Sequence, residues 1–333
     1  MIIYNTLQGR PMANAITDVP GIKVGHAQDI EGGTGCTVII CEKGAVTGVD
    51  VRGSAPATRE LALLDPVNKI EKAHAIYLGG GSAYGLDGAG GVMQYLEEHK
   101  IGFDTFAGIL VPIVPGAALY DLPFGKVDVR PDKKMGYAAC ENASEDNREQ
   151  GNVGAGTAAT VGKLVGPFSM MKGGLGTASY TSGDLVIGAL VVVNCVGDVL
   201  DSKGNIIAGA LNKQRNGFAD TMKVLSSQPA KIKELFAENT TLGVIATNAR
   251  LTKSSATKVA MASHDGYARA INPVHTMEDG DIIFCMSTGD VDINLTTLGA
   301  IAAQVMAQAI ENAVKSADSL YGIPGYKEIA NIK

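Results

Sequence analysis

A mixed α/β fold is what this 333-residue sequence predicts, on two observations. Short runs rich in β-branched residues alternate with Ala- and Gly-rich segments of helical spacing, and glycine is spread among the apolar runs instead of gathering in repeats. With 42 glycines and no Trp, the composition suggests tight turns and close backbone contacts, where the missing Cβ is useful. It is not the composition of a disordered chain.

In chain order, strands are expected at 37–40, 74–78, 108–114, 185–193 and 282–286, and helices at 88–98, 255–264 and 298–316. The last carries Leu298, Ile301, Val305, Ile310 and Val314 at helical spacing. A polar stretch over 213–239 reads as an exposed connector, and it runs straight into 240–247, a strand whose first residue is Thr240. The chain is long enough for one large core or two ordinary ones and is read as a single domain, 1–333.

Charge and hydropathy exclude several functions. With 28 Lys+Arg against 34 Asp+Glu, and no basic cluster longer than Lys133-Lys134, nothing offers phosphates a positive stripe, so no nucleic-acid partner is expected. The N-terminus lacks a leader pattern and no apolar run reaches the roughly 20 residues that span a bilayer, so a cytoplasmic protein without membrane contact is expected. Five cysteines without C-x-x-C spacing read as reduced and structural. The five histidines are scattered, which leaves no expected metal or cofactor; His26 and His275 read as hydrogen-bonding structural residues. The segment 76–85 fits neither G-x-G-x-x-G nor a P-loop, so its glycines are read as close strand-to-helix packing, with Ser82 or Tyr84 at a pocket wall.

The loop-to-strand junction at Asn239-Thr240 is where chemistry points. A Ser, Thr or Cys that attacks the preceding carbonyl shifts its own peptide bond to an ester; hydrolysis then frees an α-amine that can serve as general base. Thr240 and Thr241 could equally open a strand and nothing more. The other parts such a site needs are an oxyanion donor, a group that holds the nucleophile, and charge balance. Asn194 ends the core strand 185–193, where its amide can face a cleft or begin a turn. Lys163 lies in a small-residue segment able to approach another backbone, or on the surface. Asp279-Gly280-Asp281 is a hairpin signal, yet an extended backbone there would set both carboxylates on one face.

Along nearly its whole length the chain resembles the self-processing hydrolases that include nylon-oligomer (6-aminohexanoate-oligomer) hydrolase and the L-aminopeptidase/D-amidase-esterases. The resemblance rests on 16–26, Asp50-Val51-Arg52-Gly53, 79–91, Arg130-Pro131-Asp132, 151–163 and Asn194. Asn239-Thr240-Thr241 and Asp279-Gly280-Asp281 are similar to the oligomer-hydrolase branch; in the aminopeptidase branch the nucleophile is usually serine, and a serine and a glutamate replace the aspartates. The resemblance implies Thr240 as nucleophile with Lys163, Asn194, Asp279, Asp281 and Tyr120 around it, Asn194 and Tyr120 on the oxyanion and substrate side. It also implies a four-layer α/β/β/α sandwich of the N-terminal-nucleophile type, cleavage into 1–239 and 240–333, assembly into tetramers, and small amides or peptides as substrates. An aminopeptidase, a self-cleaving acyltransferase and an uncut scaffold are the competing expectations.

Overall fold

The computed structural model describes residues 6–7, 10–11, 13–227 and 239–330. Its centre is a nine-stranded mixed sheet: β1 (Lys23–Asp29), β2 (Thr34–Val51), β3 (Ala57–Arg59), β4 (Lys72–Gly79), β5 (Gly116–Ala118), β6 (Gly174–Ser182), β7 (Leu185–Asn194), β8 (Thr240–Ala249) and β9 (Ile282–Val291). The order is β6-β7-β8-β9-β2-β4-β5-β3, with β1 also on β2. Four longer helices flank it: α1 (Gly88–Glu98), α2 (Lys133–Glu141), α3 (Lys253–Ala270) and α4 (Leu295–Ser316).

The 18-residue β2 turns this one sheet into two layers. Its first part pairs Cys36 with Gly79 through Ile40 with Ala75 on β4; after a register shift, Val46–Val51 pairs with Ser287–Ile282 on β9. Strand side chains alternate between faces, so the two parts fill three separate cores. Val186, Leu190, Val192, Leu242, Val244, Ile282 and Phe284 meet Ile39, Ile76 and Leu78 between the sheet layers. Their neighbours Ile187, Val191, Val193, Ile245 and Cys285 pack under α3 and α4, whereas Val38, Ile40, Ala75 and Tyr77 pack under α1 and α2. Three cores separate four layers, which is the α/β/β/α sandwich. Burying each Val, Leu, Ile or Phe of these layers is worth about 1.5–3 kcal/mol.

Side-chain caps fix where helices start: Asp132 accepts from Met135 N, Thr252 from Ser255 N, and Asn294 from Thr296 N and Thr297 N. The expected helix 88–98 is α1, and 255–264 and 298–316 lie inside the longer α3 and α4. The strand expected at 108–114 is a correction: only Leu110–Val111 pairs, in a two-residue hairpin with Phe103–Asp104. Backbone groups of 113 and 115 bond to the edge of β4 without forming a full ladder there. The expected connector at 213–239 is also revised. Thr221–Ser227 is a short helix, Asn239 is buried, and 228–238 lie outside the described residues.

Candidate active site

β7 and β8 deliver two of the expected residues directly, because their antiparallel register pairs Asn194 with Thr240. β8 and β9 run parallel from Leu242–Ile282 onward, and an added bridge between Asn239 and Asp279 extends that pairing past the strand ends. Asp279-Gly280-Asp281 is therefore extended, not a hairpin, and the Asp281 carboxylate reaches the start of β8. A loop clamps this strip from outside: Arg52 N and Gly53 N donate to Asp281 O, and Ala55 N donates to Asp279 O. A Cβ on Gly53 would stand 2.2 Å from Asp281 N, so only glycine permits the approach.

Thr240 Oγ1 donates to the carbonyl oxygen of Asn239 at 2.5 Å, and Gly280 N donates to the same oxygen at 2.7 Å. Asp281 accepts Thr241 N at 2.7 Å through one oxygen and His275 Nδ1 at 2.8 Å through the other. Asp279 accepts Thr276 N and Thr276 Oγ1 through Oδ2, while its buried Oδ1 has no hydrogen-bond partner. Burial and then Asp281 push the Asp279 carboxyl up to about 6, partly opposed by Lys163. Tyr267, on α3, donates to Thr241 O and Ile282 O, pinning the first turns of both strands.

Lys163 is buried, against the ordinary expectation for a lysine in a small-residue segment. Its Nζ donates to Asn194 Oδ1 at 2.8 Å and Asn194 O at 3.0 Å, and burial lowers it to about 8. Asn194 Oδ1 also accepts Thr160 N, which fixes the flip of the amide, and Nδ2 points to Tyr120 O at 3.2 Å. Tyr120 and Lys163 line a cavity of about 700 Å³ whose other walls include Thr160, Phe124, Phe168, Met170, Arg215 and Tyr321. The six expected residues thus form one connected group, Thr240 to Asn194 to Lys163 and Tyr120 on one side, Thr240 to the aspartates on the other.

Sequence reasoning missed Thr160, His275 and Thr276 as members of this group. His275 is the hydrogen-bonding residue expected, but its partner is Asp281; Thr276, three residues before Asp279, is the one with a local signal, a hydroxyl placed to bond a following carboxylate. Ser82 and Tyr84 are not among the residues that line the cavity. Tyr84 is exposed beneath the Arg130 guanidinium, 3.9 Å from its ring centre. The glycines before it serve packing: a Cβ on Gly80 would lie 1.9 Å from Asp121 Oδ2.

All five cysteines are free and buried, and burial raises every thiol, which disfavours a thiolate nucleophile. Among the described residues no three His, Cys, Asp or Glu gather as metal ligands, and no helix is long and apolar enough to cross a membrane.

A family model described as peptidase family S58 matches residues 14–328. The chain is 40% identical over 347 residues to an uncharacterized aminopeptidase of Mycobacterium tuberculosis, covering 95% of this chain and 98% of that one. It is 35% identical over 318 residues to the 6-aminohexanoate-oligomer endohydrolase of Paenarthrobacter ureafaciens, covering 90% and 85%. Among solved structures, the L-aminopeptidase D-Ala-esterase/amidase from Ochrobactrum anthropi, described as a variant of the Ntn hydrolase fold, superposes with a TM-score of 0.73 at 18% identity, covering 96% and 93%.

Proposed function

This chain belongs to peptidase family S58 and is a hydrolase of amide bonds, and from that premise we propose that it cuts itself before Thr240 and then uses Thr240 as an N-terminal nucleophile. The observation that carries the reading is the Thr240 hydroxyl held 2.5 Å from the carbonyl oxygen of its own preceding residue, at the buried end of β8. In processing, Oγ attacks the Asn239 carbonyl carbon, the C–N bond breaks as nitrogen takes the hydroxyl proton, and water hydrolyses the resulting ester. The products are a carboxylate on Asn239 and a threonine with free hydroxyl and α-amine.

In turnover the same Oγ attacks a substrate amide, with the α-amine relaying the proton to the leaving amine. Water then releases the acyl group. Asn194 Nδ2, which donates to Tyr120 O, and Tyr120, on the cavity wall, are given the oxyanion and substrate contacts in this reading. Lys163 holds the Asn194 amide in place by bonding its oxygen. Asp281 anchors the Thr241 amide and Asp279 supplies negative charge near the lysine. The apolar cavity walls suit small peptides or linear amides.

Denaturing mass spectrometry tests the first step. The 34.4 kDa chain, divided in proportion to length at 239/240, should give pieces of about 25 and 10 kDa with threonine at the new N-terminus. Thr240→Ala should remain whole and inactive. A fully active wild-type chain that stays uncut sinks the reading.

The 40% identity to a protein named as an aminopeptidase favours a second reading, in which the substrate must present a free amino end. A panel of aminoacyl amides, their N-acetylated forms and 6-aminohexanoate oligomers separates the two: loss of turnover on acetylation supports the aminopeptidase.

A further inference from the structure

The carbonyl oxygen of Asn239 has two donors, and one of them is not a side chain. We propose that the backbone N–H of Gly280 is the oxyanion donor for self-cleavage, a group separate from the Asn194 and Tyr120 side on which substrate is handled. The proposal rests on reading Thr240 as the nucleophile. When Thr240 Oγ adds to the Asn239 carbonyl carbon, the negative charge collects on the one oxygen that Gly280 N already faces at 2.7 Å. The C–N bond then breaks, the nitrogen leaves with the hydroxyl proton, and the charge returns to a neutral ester carbonyl.

Three features make this more than a sheet bond that happens to lie there. The donor belongs to the parallel bridge between Asn239 and Asp279, and Asn239 N donates in turn to Glu278 O at 2.9 Å, so the N–H is fixed by the same ladder that holds β8 against β9. A donor fixed before reaction costs no reorganisation when charge appears. The strip is also gripped from its far side by Ala55 N, Arg52 N and Gly53 N, which leaves it little freedom to retreat. Finally, the position excludes side chains: a Cβ on Gly280 would lie 2.8 Å from Thr240 Oγ1 and 2.7 Å from Ala55 O. Glycine lets the N–H and the attacking hydroxyl share one carbonyl.

The sequence Asp279-Gly280-Asp281 therefore has work for its middle residue as well as its flanks. After the cut, the oxygen that Gly280 held belongs to the departing Asn239 carboxylate, whereas a substrate carbonyl enters from the cavity lined by Tyr120 and Lys163. Two oxyanions, formed at different times on different carbonyls, then have different donors.

The test replaces the Gly280 N–H by an ester oxygen in the full-length chain, through nonsense suppression with glycolic acid. Losing one oxyanion donor should slow cleavage at 239/240 on the order of a hundredfold. Once matured to completion, the same chain should turn over amides within about twofold of wild type, because its substrate-side donors are intact. An ester at Asn239, which deletes only the neighbouring bond to Glu278 O, is the control for a weakened ladder and should cleave within a few-fold of wild type. Gly280→Ala, which keeps the N–H but crowds Oγ1, should slow cleavage and turnover together. Wild-type cleavage by the Gly280 ester overturns the proposal, as does equal slowing by both esters, or a matured Gly280 ester as impaired in turnover as in cleavage. The reading of Thr240 fails separately, by a wild-type chain that never cuts.

Discussion

Lys163 and Lys172 stand nine positions apart, both buried, in settings of opposite character. Lys172 Nζ donates to Thr157 O at 2.9 Å, and its countercharge is Asp121, whose own oxygens accept Gly81 N and Thr34 Oγ1. Burial brings Lys172 down to about 7 and Asp121 up to about 6, yet neither side chain leaves a buried polar atom without a partner. Lys163 bonds only the neutral Asn194, and two groups near it are incomplete: Asp279 Oδ1, whose carboxylate acts on Lys163, and Thr160 Oγ1, on the same cavity wall, are buried without hydrogen-bond partners. Buried polar groups left unfinished are costly, and proteins keep them mainly where chemistry needs them. The two buried lysines thus differ in what surrounds them: Lys172 sits among groups whose hydrogen bonds are complete, Lys163 beside a carboxylate oxygen and a hydroxyl that have no partner.

Exchanging each lysine for methionine should break the symmetry most visibly. Lys163→Met removes one of the two bonds that Asn194 Oδ1 accepts and the cation that acts on Asp279, and is expected to cut turnover on the order of a thousandfold. Lys172→Met leaves the buried Asp121 carboxyl without its cation and should instead lower stability by roughly 2 kcal/mol, with turnover per folded molecule within a few-fold. Equal loss of turnover in both variants, at equal folding, would erase the distinction.

A smaller effect, about a hundredfold, is expected for Asp281→Asn, since Thr241 N and His275 Nδ1 both depend on that carboxylate and a displaced nucleophile loses rate steeply. Asp279→Asn should act in the same direction on cleavage and hydrolysis alike. Single-turnover rates of both steps check this, with folding followed by thermal melt; wild-type rates would remove the pair from the mechanism.

The smallest expected effect is a slope. The folded value of Lys172 lies below its ordinary 10.5, so between about pH 7 and 10.5 the unfolded chain keeps a proton the folded chain has released, and raising the pH through that window stabilises the fold. Asp121 and Asp279, raised from 3.8 to about 6, work oppositely: the folded chain holds their protons between those values, so stability from these groups declines as pH rises from about 4 to 6. In a Thr240→Ala background, the melting temperature of the chain with Lys172 should climb from pH 7 to 10 relative to Lys172→Met. A flat difference would show that Lys172 does not titrate there.

The strands 37–40, 74–78, 185–193 and 282–286 and helix 88–98 were legible because apolar runs and helical spacing report burial directly. The four-layer order was not, since it depends on one edge of β2 passing from β1, paired up to Ile40, to β9, paired from Val46, and nothing in a strand's own pattern names its neighbour. The burial of Lys163 was hidden for a related reason: its partners, Asn194 and the β8–β9 ends, are far away in sequence. Thr240, Asn194, Lys163, Asp279 and Asp281 were open candidates on local pattern, and the resemblance to a family gathered them and added Tyr120; family motifs carry side chains and pass over a backbone N–H such as that of Gly280. The 108–114 strand misled because an apolar run beside a sheet edge can bury its side chains while sharing only isolated backbone bonds.

β8 and β9 follow the proposed cut, yet they lie between β7 and β2, which precede it. A chain severed at 239/240 would be two polypeptides woven into one hydrogen-bonded layer, with no surface along which they could part intact. Dilution should then leave the cut protein assembled, and its thermal midpoint should not depend on concentration on account of these two pieces. Unfolding, by contrast, would be a one-way event: a refolding 240–333 segment would have to find its two flanking strands in another molecule, a bimolecular search that the uncut precursor is spared.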